Sequence, residues 1–387
     1  MAASVLLQSP HFTTSDKPQS SSLSSVQAYV LSIVSLPGQY AASASAPSNT
    51  IDIFDKTTLK GVETLSGHEI ATTSLHTVTS LVGLSAPTLM SSGRDGSVKI
   101  WDPRSRSHSI KMTNLGANRA LLCCDVSPDG TTVAAGTDFQ GDDALILYWD
   151  PRQPAAPLRT HASTHSDDIT TVSFAHSDSG IPRNTLLSAS SDGLVSTSNA
   201  DEPDEDEAVL HVGNWGCSIS QAGWNDTPAG PRIWAASDME TFSTWSHELD
   251  QYQSLDIRSP VLHGQRTWVT DYLITCAPTP NTPGALGVFA GSNEGDIALL
   301  SNANLTVPDA PWYLHNIWST GHVGVVRSLL WDHQNNVLVT GGEDAKLNVW
   351  PGLTPDADDD SMAVDDSNVR KRALERDEEQ EGKRARR

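Results

Sequence analysis

Short runs of alternating apolar and polar residues end in the same way seven times along this chain. The runs are IDIFD, SVKIWD, LILYWD, LVSTSN, TFSTWS, DIALLS and LNVWP, and they end at residues 55, 102, 150, 199, 246, 301 and 351. The equivalent, mostly aromatic position in these runs is held by Phe54, Trp101, Trp149, Ser198, Trp245, Leu300 and Trp350, at intervals of 47, 48, 49, 47, 55 and 50 residues. Alternation of this kind predicts strands, and a fixed period of about 50 residues predicts a closed array of one repeated β unit.

The second and seventh units show the clearest internal pattern. Each has a Gly-His pair, then a strand, then a tight turn containing Asp six residues before the Trp, in the segments LMSSGRDGSVKIWD and VLVTGGEDAKLNVW. An acidic turn between two alternating runs is a hairpin pattern. We predict that a buried His, a strand hydroxyl, the turn Asp and the Trp form a structural hydrogen-bonded chain within each unit. The residues concerned are His68, Ser91 or Ser92, Asp95 and Trp101 in one unit, and His322, Thr340, Asp344 and Trp350 in the other.

These Gly-His and Trp-Asp repeats resemble the WD40 family, whose members are β-propellers of four-stranded blades. The resemblance covers residues 26–351 and implies an all-β, seven-bladed propeller spanning residues 1–353. The chain provides only three strands for its last blade, so we expect residues 3–12 to supply the outer strand that closes the ring. Units three to six depart from the pattern, most clearly at Ser198, where a Trp is expected. Residues 354–387 lack apolar periodicity and are predicted to be disordered.

The composition favours a binding protein over an enzyme. The net charge is −22, and the tail after residue 353 holds 11 acidic and 8 basic residues, which leaves −19 for residues 1–353. Such an acidic body disfavours direct nucleic-acid binding and favours a basic protein partner, although a merely soluble surface is the alternative. The sequence contains no nucleotide-binding, hydrolase or zinc-protease motif, so we expect no catalytic residues, cofactor or metal. Four unpaired cysteines indicate a reducing compartment, and no segment predicts a targeting peptide or a membrane span.

Two features suggest where a protein partner binds. The tetrapeptide Trp-Asp-Pro-Arg occurs at residues 101–104 and again at 149–152. It resembles the WDxR box of substrate receptors that dock onto the adaptor of cullin-4 ubiquitin ligases, which implies a docking role for Arg104 and Arg152; local salt bridges are the alternative. The second feature is a set of loop tryptophans, Trp268, Trp312 and Trp318, which are candidate hot-spot anchors. Packing of these side chains against blade edges is the alternative, as is a solvated loop for the acidic run at residues 201–207.

The C-terminal tail contains two basic clusters separated by ten residues. The clusters are Arg370, Lys371 and Arg372, then Lys383, Arg384, Arg386 and Arg387. This spacing predicts a bipartite nuclear-import sequence, whereas a charge-balanced helix is the alternative. We therefore expect a monomeric interaction scaffold or adaptor in the nucleus, with the cytoplasm as a second location. A ligase substrate receptor and an acidic escort of a basic nuclear or ribosomal protein are the other hypotheses.

Overall fold

Seven β-sheets form the fold in the computed structural model, which describes residues 5–353 except 26, 85–86, 103–106, 115–118, 177–179, 263–266, 280–283 and 309. The chain begins with β1 (Leu6–Ser15) and β2 (Ser20–Leu23). Blade one contains β3 (Val30–Leu36), β4 (Gln39–Ala44), β5 (Ile51–Asp55) and β6 (Gly61–Leu65), and blade two contains β7 (Thr72–Val78), β8 (Thr88–Gly93), β9 (Ser97–Asp102) and β10 (Ser107–Thr113). Blade three contains β11 (Leu121–Val126), β12 (Val133–Thr137), β13 (Ile146–Trp149) and β14 (Arg159–His161), and blade four contains β15 (Ile169–Phe174), β16 (Thr185–Ser190), β17 (Leu194–Asn199) and β18 (Val209–Asn214). Blade five contains β19 (Ile219–Thr227), β20 (Gly230–Ser237), β21 (Thr241–Ser246) and β22 (Gln251–Asp256), and blade six contains β23 (Tyr272–Pro278), β24 (Leu286–Gly291), β25 (Ile297–Asn302) and β26 (Trp312–Trp318). Blade seven contains β27 (Val326–Asp332), β28 (Val337–Gly342) and β29 (Lys346–Pro351). A four-residue helix, α1 (Glu205–Ala208), precedes β18.

The inner strands of the seven blades close into a ring. Each inner strand contacts that of the next blade, and β27 of blade seven returns to β3 of blade one. Side chains on these strands donate hydrogen bonds to carbonyls of the following blade, as Thr170 does to Ile219 at 2.7 Å. The same kind of bond closes the ring, where the Ser328 hydroxyl donates to the Val30 carbonyl at 2.9 Å. The seven-bladed propeller predicted from the sequence is therefore confirmed.

The N-terminal segment lies on a different blade from the one we expected. Strand β1 runs parallel to β26 and becomes a fifth strand of blade six, with Leu6 opposite Trp312. The outer strand of blade seven is instead β2, which pairs antiparallel to β29 with Ser20 opposite Val349. Leu6 and Phe12 pack in the apolar cluster of blades five and six, which explains the position of β1. A serine-rich strand can fill the outer position of blade seven because that position requires mainly backbone hydrogen bonds.

The apolar core lies between neighbouring blades. The third-strand aromatic of a blade packs against the preceding blade, as Trp101 does against Ile51 and Ile53 of blade one. Blade four lacks this aromatic because its position is Ser198. Tyr148 of blade three is fully buried in the cluster shared with blade four. Burial raises the pKa of its phenol, and the neighbouring Ser198 hydroxyl opposes that rise. A large residue on one blade therefore compensates for a small one on the next.

A buried ion pair also joins blade seven to blade one. The Lys56 ammonium lies 2.9 Å from Oδ2 of Asp332, and their side chains are 10% and 2% exposed. The Tyr40 hydroxyl donates to the same oxygen at 2.9 Å. Burial alone would raise the pKa of Asp332, but hydrogen bonds from Lys56, Asn335 and Tyr40 lower it to about 2. The carboxylate is thus ionised at neutral pH and links two segments that are 276 residues apart.

Candidate functional site

The His-Asp-Trp chains of blades two and seven are buried structural networks. His68 Nδ1 lies 2.9 Å from Asp95 Oδ1, and His68 Nε2 lies 2.8 Å from the Ser91 hydroxyl, which also accepts a bond from the Trp101 indole. In blade seven the equivalent distances, involving His322, Asp344, Thr340 and Trp350, are 3.0, 2.8 and 2.9 Å. The structure thus brings all the predicted residues together and selects Ser91 as the hydroxyl of blade two. Both histidine side chains are fully shielded from solvent, which leaves them without access to a substrate.

Blade four retains such a network without its Trp, because Ser198 stands at that position. His165 Nε2 lies 2.8 Å from the Ser188 hydroxyl, and His165 Nδ1 lies 3.4 Å from Asp192. Burial alone would raise the pKa of Asp192, but the hydrogen bonds from His165 and two backbone amides lower it to about 2. Asp344 in blade seven also has a pKa of about 2, because bonds from His322 outweigh its burial. These carboxylates therefore hydrogen-bond the histidines and hold each b–c turn against the preceding d–a connection.

The three tryptophans proposed as partner anchors are buried, so that prediction was wrong and the packing alternative describes them. Trp268, Trp312 and Trp318 are 4%, 0% and 0% exposed. The Trp268 indole donates to Thr270. Trp312 and Trp318 lie on β26, which the sequence analysis had placed in a loop and which β1 covers on its outer side. The sequence could not predict the burial of Trp312 and Trp318 under β1, because that burial depends on pairing between segments about 300 residues apart.

Of the two arginines predicted to dock a ligase adaptor, the structure describes only Arg152. Arg104 lies outside the described residues. Arg152 forms a two-pronged ion pair with Asp150 of its own tetrapeptide, with Nη2 2.6 Å from Oδ2 and Nε 2.9 Å from Oδ1. Its side chain remains 60% exposed, so one edge of the guanidinium faces solvent.

The acidic run at residues 201–207 is partly structural. Glu205 accepts hydrogen bonds from the backbone amides of Ala162 and Ser163 at 2.8 and 2.9 Å, and from the Thr164 hydroxyl at 2.7 Å. Asp204 caps the short helix α1 by accepting from the Asp206 amide. The run therefore ties blade four to blade three. The basic clusters of the tail lie outside the described residues.

The charges on the two ends of the ring differ. Within each blade we name the strands a to d from the channel outward, so the b–c turns and the d–a connections share one end, which we call the b–c face. Among the described residues these connections contain three arginines, Arg94, Arg119 and Arg258, and fifteen acidic residues, Glu69, Asp95, Asp138, Asp142, Asp143, Asp167, Asp168, Asp192, Asp238, Glu240, Asp271, Glu294, Asp296, Glu343 and Asp344. The described a–b and c–d connections contain ten acidic and four basic residues, and six of the ten acidic residues belong to the run at 201–207. Negative charge is thus spread over most blades on the b–c face and concentrated in blade four on the other.

Exposed apolar side chains also lie on the b–c face. Met239 and Val323 are 67% and 75% exposed, and Ile70, Phe139 and Val269 are 42–53% exposed. Apolar groups surrounded by one sign of charge are typical of a surface that binds a partner of opposite charge. This arrangement was not among the predictions from the sequence. It could have been predicted, because successive connections between antiparallel strands lie alternately at the two ends of the ring.

A cavity of about 220 Å³ lies beside the first residues of four inner strands, which places it at the b–c mouth of the ring. Its walls come from the inner strands of blades one, five, six and seven, and include Leu31, Gln221, Ile274 and Arg327. The Arg327 guanidinium donates to Glu343 Oε1 through Nε and Nη2, at 2.8 and 2.5 Å. The positive charge at this mouth is therefore already paired with an acidic side chain of the face.

The chain is similar to known WD-repeat proteins over most of its length. The family model described as "WD domain, G-beta repeat" matches residues 60–102, 110–150 and 314–351. The Saccharomyces cerevisiae protein named "Uncharacterized WD repeat-containing protein YNL035C" is 30% identical over 312 residues, which cover 78% of this chain and 73% of that protein. The chain belongs to the WD40 repeat family. Another WD40 relative, WD repeat-containing protein 89 homolog of Dictyostelium discoideum, is 26% identical over 84% of both chains.

A solved structure has a similar overall fold. The crystal structure of the computationally designed Ika8 protein superimposes with a TM-score of 0.59 at 16% identity, covering 87% of this chain and 98% of that one. WD40 propellers generally act as protein-interaction scaffolds and are typically non-enzymatic. Within the described residues, no group of three His, Cys, Asp or Glu side chains is arranged to hold a metal ion, and no helix is long and apolar enough to cross a membrane.

Proposed function

We propose that this WD40 propeller is a nuclear interaction scaffold whose b–c face binds a basic segment of a protein partner. The observation that carries the proposal is the distribution of charge among the described connections, with fifteen acidic and three basic residues on the b–c face. Carboxylates spread around a channel mouth attract a cationic segment and speed its association, and this attraction weakens as salt rises. Exposed apolar side chains on the same face add contact area that salt does not weaken.

The experiment measures the affinity of the full chain for a fluorescent 20-residue peptide rich in Lys and Arg. The test variant, Asp142→Lys/Asp143→Lys, reverses two exposed charges on the b–c face. The matched control, Glu248→Lys/Asp250→Lys, makes the same change in net charge on the opposite end, also at exposed positions. We expect the test variant to bind about tenfold more weakly, at roughly 0.5 kcal/mol or less per unit of charge changed, and the control to stay near wild type. Equal weakening in both variants would show that net charge, rather than the b–c face, attracts the peptide.

A second candidate function is docking onto the adaptor of a cullin-4 ligase through the Trp-Asp-Pro-Arg tetrapeptides. The observation that favours it is Arg152, whose guanidinium is held by Asp150 while its side chain stays 60% exposed. A pre-oriented, half-exposed guanidinium loses little conformational entropy when it binds a second carboxylate or carbonyl. The Arg104→Glu/Arg152→Glu variant is expected to lose adaptor co-purification. The control is Arg183→Glu, an arginine on the same end that is 74% exposed; co-purification of both variants at wild-type levels would reject this function.

A further inference from the structure

We propose that the b–c turn of blade three selects arginine over lysine in the basic segment, with Phe139 as the stacking surface. This inference rests on the proposed function, because it identifies the side chain that the acidic face recognises. The turn, residues 138–145, connects Thr137 to Ile146 and is the longest of the seven b–c turns, whereas those of blades two, four, five and seven have three residues each. Its first residues are Asp138 and Phe139, followed by Gln140, Gly141, Asp142 and Asp143.

The turn is rigid although it is long. Gln140 and Asp143 bridge through their backbones in a small hairpin, in which Gly141 adopts a φ of 70°. The Thr137 hydroxyl donates to the Asp138 carbonyl at 2.9 Å and accepts from the Leu145 amide at 2.8 Å. Because these bonds fix the base and the tip of the turn, a partner that binds it does not have to order it first.

Phe139 is exposed at a fixed position within this turn. Its backbone amide donates to Asp168 Oδ1 at 2.8 Å, which anchors it to the connection entering blade four. Phe139 is 42% exposed although the turn is well bonded, so part of an apolar aromatic side chain is open to solvent. An aromatic ring on a rigid element is a typical partner anchor.

The charged groups in the same turn determine which partner side chain Phe139 can bind. The carboxylates of Asp142 and Asp143 are exposed, and among the described residues neither forms an ion pair or accepts a hydrogen bond. Arg119 is the nearby base, and it donates to the backbone carbonyl of Asp143 at 2.7 Å rather than to a carboxylate. A partner group that stacks on a ring and binds carboxylates along its edge is a guanidinium, whereas an ammonium lacks the flat surface and the forked donors. The geometry therefore points to an arginine side chain.

The test compares two labelled peptides of equal length and charge, one with arginines and the other with lysines at the same positions. We expect wild type to bind the arginine peptide about threefold more tightly, from the cation–π contribution at an exposed site. Phe139→Ala should lower the ratio toward one, because it weakens the arginine peptide more than the lysine peptide, and Phe139→Trp should keep or increase it. The control is Ile70→Ala, an exposed apolar residue on the same face, which should keep the wild-type ratio. Thermal unfolding should be unchanged in every variant, since these side chains are exposed.

The outcomes separate the two proposals. If both peptides bind with equal affinity to wild type, or if Phe139→Ala keeps the arginine preference, the selection by Phe139 is wrong while the basic-segment function stands. If neither peptide binds the full chain at low salt, the proposed function is wrong, and arginine selection falls with it.

Discussion

Replacing Asp332 with Asn should weaken the joint between blade seven and blade one. The Asp332 carboxylate has a pKa of about 2 in the folded protein, against an ordinary value of 3.8. This difference corresponds to about 2 to 3 kcal/mol of stability at neutral pH from the ionised form. The substitution also leaves the Lys56 ammonium, which is 10% exposed, without its carboxylate. Losing one member of a buried pair costs about 3 to 5 kcal/mol.

The pH dependence provides a separate signature of the same joint. Because the folded pKa of Asp332 is lowered, its stabilisation is present above the unfolded pKa near 4 and is lost as the pH falls toward 2. Asp95, Asp192 and Asp344 also have lowered pKa values, so wild type should lose stability in this range for several reasons. The difference between wild type and Asp332→Asn isolates the contribution of Asp332. That difference should be largest at neutral pH and should shrink between pH 4 and pH 2.

The assay is urea unfolding followed by tryptophan fluorescence at several pH values. The control is Asp256→Asn, which removes the carboxylate of an exposed pair with Arg258, so that its loss should cost less than about 1 kcal/mol. A double change, Lys56→Met/Asp332→Asn, should recover part of the lost stability, since it removes the unpaired ammonium and keeps an oxygen that accepts from Tyr40. The reasoning is refuted if Asp332→Asn unfolds at the same urea concentration as the Asp256→Asn control, or if its difference from wild type does not change with pH.

Three further predictions follow from the packing and the tail. Ser198→Trp should destabilise blade four by about 1 to 3 kcal/mol through overpacking, and adding Tyr148→Val should restore stability if Tyr148 fills that space; additive losses in a double-mutant cycle would reject the compensation. Removing residues 1–15 should expose Trp312 and Trp318 and shift tryptophan emission to longer wavelength, whereas unchanged emission would show that β1 does not shield them. Deleting residues 368–387 from a fluorescent fusion should deplete it from the nucleus, and an unchanged nuclear fraction would contradict the import prediction.

The sequence predicted the blades better than it predicted their partners. The period of the strand-ends was sufficient to predict the fold, because each blade is built from hairpins between strands that are close in sequence. The Gly-His and turn Asp pattern also located the His68 and His322 networks, whose members lie within about 33 residues of one another along the chain. Such a pattern is visible in the sequence because all members of one network belong to one short segment of the chain.

Long-range pairing and burial were harder to predict. The position of β1 depends on whether Leu6 and Phe12 find apolar surface on blade six or blade seven, and no local pattern encodes that choice. The burial of Trp312 and Trp318 depends in turn on β1, so one error led to the next. The acidic face was not predicted for a different reason: its carboxylates occur one or two at a time in many separate turns, whereas the run at residues 201–207 is contiguous.

Amide hydrogen exchange with and without an arginine-rich peptide tests the central claim most directly. The claim predicts that the peptide slows exchange in b–c turns and d–a connections, above all in residues 138–145 and 162–168, and leaves the a–b and c–d connections unchanged. Protection confined to residues 200–208, or no protection at a peptide concentration that saturates binding, would contradict it.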